Sequence, residues 1–200
     1  MIKSPAMPAT QQQLLQSLIK TKSFQFSATP TFKLTSGAMS QFYVDCRIGI
    51  SYPETRQIVG ELMLSRVQQP VDAVGGLLVA AYPIAVALSD AAHAKNGQLI
   101  RAFFVRKEPK AHGMKKMVEG AVNEGDRVLI VDDVITSGKS TIEAIEKCRD
   151  AGLVVHQAMV IIDREEQEGR ARIEALGVKV DALCTLQELQ KERTAAHAGY

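Results

Sequence analysis

The sequence predicts an α/β fold: a central parallel sheet flanked by helices, with a small N-terminal cap, or hood, over one end. Three observations predict it. From Val71 to Leu183, short aliphatic runs alternate with stretches of helical spacing, the pattern of βαβ units wound into a parallel sheet. The run Val128–Val131 is apolar without interruption, as a strand buried on both faces must be. The first fifty residues, one helix and short strands, do not follow that alternation. The expected layout is an N-terminal helix and hood strands over 1–51, an α/β core over 52–193 and a frayed tail over 194–200, one compact domain overall.

Composition narrows the class. A hydrophobic content of 46% and a charged content of 23% suit one globular domain. A net charge of +2 excludes a general nucleic-acid binder, so any basic site is local. No run reaches the 18 or so apolar residues of a membrane span, and MIKSPAMPAT lacks a signal core. The expectation is a cytoplasmic chain with no membrane partner. Cys46, Cys148 and Cys184 are odd in number, show no metal-ligand spacing and lie in or beside apolar segments, which reads as reduced, buried thiols.

Within the hood, Thr10 and Gln13 fit a capping box for a short helix whose apolar face is Leu14, Leu15, Leu18 and Ile19. Phe32–Leu34 and Phe42–Asp45 read as strands around a polar turn at 35–40. Ser51-Tyr52-Pro53-Glu54 fits a second capping box, followed by a buried stripe of Ile58, Val59, Leu62, Met63 and Val67.

The core begins with a strand over Val71–Leu78 and a turn at Val79–Tyr82, and Pro83 starts an alanine-rich helix running to about Lys95. Gly75-Gly76 either admits a ligand close to the backbone or relieves packing; the sequence leaves both open. Leu99–Val105 is the next strand. After it, Arg106, Lys107, Lys110, Lys115 and Lys116 stand against a single acid, Glu108, with His112 among them. Pro109 and Gly113 oppose a helix there. A long cationic loop in a compact domain reads as a mobile lid that neutralises a polyanion as it closes. Val154–Ile162 is a strand ending at Asp163-Arg164-Glu165-Glu166. Arg164 there can grip a planar carboxylate bidentately or pair with Asp163 or Glu165. A helix at Arg172–Leu176 stops at Gly177, Val178–Leu183 is the last strand, and Thr185 with Glu188 caps a closing helix.

The stretch that organises the chain is Arg127–Thr141, RVLIVDDVITSGKST. Its strand Val128–Val131 runs into Asp132 and Asp133. Thr136-Ser137-Gly138-Lys139-Ser140 then turns into a helix over Thr141–Arg149. A hydroxyl- and glycine-rich turn at a helix N-terminus offers backbone N–H groups and the positive end of the dipole to a phosphate. Two carboxylates beside it suit sugar hydroxyls or a magnesium-bound ligand. Phosphate on one side and diol on the other describe a ribose 5-phosphate. An ATP P-loop does not fit Gly138-Lys139-Ser140, because the required glycine five residues earlier is Asp133.

In its order of aliphatic strand, paired acids, aliphatic pair and Thr-Ser-Gly, this stretch resembles the phosphoribosyl-diphosphate (PRPP) motif of the type I phosphoribosyltransferases. With Phe32–Arg47, Val105–Gly120 and Asp163-Arg164-Glu165, the chain from about Gln12 to Leu189 is similar to the orotate phosphoribosyltransferase family. The resemblance implies the type I phosphoribosyltransferase fold and Mg²⁺-dependent transfer of ribose 5-phosphate from PRPP to orotate. It implies that Val134 and Ile135 bind PRPP together with Thr136–Ser140, which hold the 5-phosphate. Asp132 and Asp133 would contact the ribose, and Arg106, Lys107, Lys110 and His112 the diphosphate. Thr136, Arg164 and Tyr43 would meet orotate, Arg164 through the carboxylate. It also implies a homodimer with shared active sites, since part of the loop reaches the partner subunit in the family, and a metal carried by PRPP, for which no direct protein ligand is assigned. Thr35, Ala38, Ala80 and Tyr82 depart from residues common in the family at those places. Two other readings compete. A transferase for a base without a carboxylate has no use for Arg164. A PRPP-sensing regulator has no use for Lys110 and His112, and would carry a basic DNA-binding face.

Overall fold

The computed structural model describes residues 10–33, 39–109 and 116–198. Helix α1 (Gln11–Lys20) opens on the capping box foreseen at Thr10: the Gln13 N–H donates to the Thr10 hydroxyl, and the Thr10 N–H donates to the Gln13 side chain at 2.7 Å. Its buried Leu14, Leu15 and Leu18 seat it on the body of the molecule. Three short hood strands follow, β1 (Phe24–Phe26), β2 (Phe32–Lys33) and β3 (Met39–Ser40), and then β4 (Phe42–Val44). Their pairing was left open by the sequence. Phe32 and Lys33 pair with Ser40 and Met39, whereas Phe42–Val44 pair antiparallel with Phe24–Phe26. Aromatic contacts explain the choice: Phe42 lies 5.9 Å from Phe24 and 5.4 Å from Phe26, centroid to centroid.

Helix α2 (Cys46–Ser51) was not foreseen, and it changes the next boundary. The Ser51 hydroxyl donates to the Ile48 carbonyl inside α2, so the Ser51–Glu54 capping box does not form. Helix α3 (Pro53–Ser65) starts instead from Tyr52 without a side-chain cap, with Pro53 in its first turn. It buries Val59, Leu62 and Met63 as expected.

The core runs β5 (Ala73–Gly75), α4 (Ala81–Asn96), β6 (Arg101–Val105), β7 (Val118–Gly120), β8 (Arg127–Ile135), α5 (Lys139–Asp150), β9 (Val154–Asp163), α6 (Gly169–Glu174), β10 (Lys179–Thr185) and α7 (Leu186–Ala198). The sheet order is β10-β9-β8-β5-β6-β7. All neighbours are parallel except β6 and β7, an edge hairpin absent from the sequence reading. The cationic stretch after Val105 is therefore the connection of that hairpin.

Period-two alternation sorts the side chains of β8 and β9 onto two faces. Leu129, Val131, Met159 and Ile161 join a core with α1, α2, α3, α4 and α7, while Val128, Ile130, Ala158 and Val160 join one with α5 and α6. Helices thus cover both faces, as a sheet of such apolar strands requires. Gly75 and Gly76 belong to this packing: a Cβ on Gly75 would stand 2.5 Å from the Phe103 carbonyl oxygen, and one on Gly76 2.1 Å from that of Val131. The Thr185–Glu188 capping box forms, with bonds of 2.7 and 3.2 Å. Helix α7 continues past Thr194, where the sequence reading placed a loose tail. Cys46, Cys148 and Cys184 are free and buried. Burial raises all three thiols, Cys148 and Cys184 to about 12, so none is reactive near neutrality. Among the described residues no helix is long and apolar enough to cross a membrane.

Candidate active site

Strand β8 runs through both acids to Ile135, longer than the sequence suggested. Its parallel partner β9 matches Ile135 with Asp163, and the Arg164 N–H donates to the Ile135 carbonyl at 3.0 Å. The acid pair, the Thr136–Ser140 turn and Arg164 therefore share one end of the sheet, the carboxyl end, where ligands of open α/β sheets bind.

Alternation along β8 gives the two acids different surroundings, while their carboxyls remain hydrogen-bonded to one another. Asp132 falls on the α5 side and is 5% exposed. It accepts from the Ser140 hydroxyl at 2.7 Å, the Thr141 hydroxyl at 3.2 Å and the Asp133 N–H at 3.0 Å. Asp132 thus ties the first turn of α5 to the strand, and Ser140 donates inward. Asp133 is half-buried and falls on the hood side. The Cys46 and Arg47 side chains of α2 both feel its charge. Burial pushes both carboxyls up, and repulsion from Asp132 together with a side-chain hydrogen bond between the two acids carries Asp133 to about 7. The pair therefore retains a proton close to neutral pH.

The phosphate-type loop is built as foreseen and held by residues that were not. Gly138 sits at the N-cap of α5 with φ 73°, a left-handed conformation suited to glycine. A Cβ there would stand 2.8 Å from the Gly169 carbonyl oxygen, and one on Gly169 would stand 2.3 Å from that of Thr136. Arg172 of α6 donates to the Ser137 carbonyl at 2.9 Å. Thr136 and Ser137 are half-buried and Lys139 is exposed, while Val134 and Ile135 lean into the cores. The signal for this buttress was a lone glycine in the charged run Glu165–Arg172.

At the base of the cationic loop, Arg106 pairs with Glu119 of β7 and lies 5.6 Å from the Phe104 ring centroid. Lys107 is exposed. Lys147 of α5 donates to the carbonyls of Arg106 and Lys107 at 2.9 and 2.8 Å, clamping the loop's stem to the helix that carries the phosphate-type turn. Lys110 and His112 lie outside the described residues.

Arg164 settles on neither partner weighed from the sequence. Asp163 is taken by Arg170 at 2.9 Å and by the Glu165 N–H at 2.8 Å. The Arg164 guanidinium instead grips Glu166 through two bonds of 3.1 Å. In the hood, Tyr43 is half-buried and stacks on Phe32 at 5.5 Å. Arg47 was missed as a possible site residue. It makes a two-pronged pair with Asp45 at 2.8 Å, and its field reaches Asp133. Its signal was a basic residue just after the hood strand. Among the described residues no group of three or more His, Cys, Asp or Glu is gathered to hold a metal. A cavity of about 580 Å³ between α3 and α4 is lined by none of the predicted site residues.

A mixed, mostly parallel sheet with paired acids running into a Thr-Ser-Gly turn defines a phosphoribosyl-binding protein, and comparison with known proteins agrees. Residues 51–183 match the model of the phosphoribosyl transferase domain. The chain is 40% identical over 180 residues to an orotate phosphoribosyltransferase of Aquifex aeolicus, covering 90% of this chain and 97% of that one. An orotate phosphoribosyltransferase of Mycobacterium tuberculosis, solved with Fe(III) dicitrate, superposes with a TM-score of 0.77 at 31% identity, covering 90% and 98%. The same enzyme solved with PRPP gives a TM-score of 0.72 at 28% identity, with the same coverage. The chain belongs to the phosphoribosyltransferases and, among them, to the orotate phosphoribosyltransferase family.

Proposed function

We propose that this enzyme transfers ribose 5-phosphate from PRPP to N1 of orotate, giving orotidine 5′-monophosphate and diphosphate, as a step of pyrimidine nucleotide synthesis in the cytoplasm. The observation that carries the orotate assignment is Arg164, a buried guanidinium beside the phosphate-type turn, already in the two-pronged posture that a planar carboxylate requires. Uracil and the purines have no such group.

The N–H groups opening α5 and the hydroxyls of Thr136 and Ser137 receive the 5-phosphate. Asp133 faces the ribose, while Asp132 fixes the turn. Departure of diphosphate from ribose C1 leaves positive charge on the sugar, as in glycoside cleavage. Ionised Asp133 stabilises that charge. Arg106, Lys107, Lys110 and His112 neutralise the departing diphosphate, and loop closure keeps water from capturing the ribosyl cation. Orotate is already an anion, so no strong base is needed. Thr136, Arg164 and Tyr43 orient it. Magnesium carried in on PRPP would supply further neutralisation of the diphosphate. The donor set fits that arrangement, because Asp132 is occupied by Ser140, Thr141 and a backbone N–H, which leaves Asp133 as the acid facing the substrate side. The active unit is a homodimer with shared sites, each loop serving its neighbour.

The test is turnover with PRPP, Mg²⁺ and orotate, run beside uracil and hypoxanthine. Product from orotate alone is expected. Product from another base, or PRPP binding without turnover, would overturn the assignment. Lys110→Ala should lower kcat about a hundredfold, on the order of 3 kcal/mol, while leaving the melting temperature near that of the parent. Near-normal turnover would remove Lys110 from the reaction.

A further inference from the structure

The carboxylate on Arg164 belongs to the chain itself. We infer that Glu166 is an internal stand-in for the substrate carboxylate, seated on Arg164 and displaced when orotate binds. The inference rests on the proposed role of Arg164.

Three features carry it. First, the geometry is that of ligand recognition. Nε and Nη2 of Arg164 each donate to a different oxygen of Glu166 at 3.1 Å. The Arg164 side chain is 7% exposed, whereas Glu166 is 36% exposed and free to swing into solvent. Second, nearby acids do not share the task. Asp163 is committed to Arg170 and to the Glu165 N–H, so Glu166 is the carboxylate whose release leaves the end of β9 intact. Third, Glu166 sits in an uneasy backbone. Glu165, Gln167 and Glu168 have φ values of 57°, 53° and 54°, the left-handed region that side chains other than glycine seldom occupy. A segment held this way has other backbone states to move to once the ion pair opens.

The consequence is electrostatic. A buried guanidinium needs a partner, and Glu166 supplies one before substrate arrives. With Glu166 seated the charge of Arg164 is already neutralised, and an incoming carboxylate meets repulsion as well as attraction. Glu166 therefore sets the affinity for orotate and disfavours weaker anions that cannot dislodge it, which makes it a specificity-determining residue.

Orotate and PRPP KM values of the full-length parent, Glu166→Gln, Glu166→Ala and Arg164→Ala test this, with thermal melts to confirm folding. Both Glu166 variants should lower the KM for orotate about threefold, because orotate no longer has to displace a carboxylate from Arg164, with a smaller change in the KM for PRPP. Arg164→Ala should raise the orotate KM. If Arg164→Ala raises it but Glu166→Gln leaves it unchanged or raises it too, Glu166 merely steadies the arginine and the stand-in is overturned, while the orotate reading survives. If Arg164→Ala leaves the orotate KM untouched, the seat itself is wrong and the inference falls with it.

Discussion

Asp132 and Asp133 are neighbours on one strand, yet they face different partners and carry different duties. Asp132 spends its oxygens on Ser140, Thr141, a backbone N–H and the Asp133 carboxyl itself, so its work is internal. Asp133 faces the hood with a carboxyl pushed up to about 7 by burial and by Asp132. Only its ionised form can stabilise a ribosyl cation, so kcat/KM for PRPP should rise with pH through an apparent pKa near this value. Asp133→Asn should lower the rate and remove that step from the profile. Stability gives an independent reading. A carboxyl raised in the folded state costs little below its unfolded value of about 4, and the cost grows until pH passes the folded value. Between these limits, the melting temperature of the parent should therefore fall relative to Asp133→Asn as pH rises. Parallel melting curves would show that the carboxyl is not raised.

At the scale of elements, the turn that opens α5 is shaped as much by α6 as by its own residues. Gly169 lies against the Thr136 carbonyl so closely that a Cβ would stand 2.3 Å from its oxygen and 2.6 Å from the Ile135 side chain. Gly169→Ala must push the turn outward. It should cost about 2 kcal/mol of stability and raise the KM for PRPP at least about tenfold. Gly177→Ala is the control. That position has φ 73° but open space, so it should cost about 1 kcal/mol with no change in the KM for PRPP. Equal effects on KM would show that the loss follows general destabilisation rather than displacement of the turn. The same region shows what a sequence can and cannot disclose. The strand, acid pair and turn were legible because their signals are contiguous. The Thr10 and Thr185 boxes were legible because each closes within four residues. The Ser51 box failed because an unforeseen helix had already engaged that hydroxyl. Strands β1 and β7, three residues each, are too short to show a period, and they exist only because partners distant in sequence pair with them. The buttress from Gly169 and Arg172, the clamp from Lys147 and the choice of Glu166 by Arg164 all depend on tertiary placement.

At the scale of the whole molecule, the two anion-handling elements lie on opposite sides of the acid pair. The phosphate-type turn and Arg164 stand at β8 and β9, and the cationic loop springs from the β6–β7 hairpin toward the sheet's other edge. Lys147 ties the loop's stem to α5 and so fixes its point of departure. If each loop completes the site of a partner copy, Lys110 and Arg164 of one working site come from different chains. At orotate well below the KM of Arg164→Ala, two variants that are each strongly impaired, Lys110→Ala and Arg164→Ala, should then rescue one another. In a mixed dimer one site lacks both groups and the other lacks neither. Random reassortment makes half of the dimers mixed, so activity should recover to about a quarter of the parent value. The measurement is turnover after the two variants are mixed, unfolded and refolded together, beside each variant treated alone. If the loop serves its own chain, every site in every dimer lacks one group, and the mixture should be no more active than the average of its components.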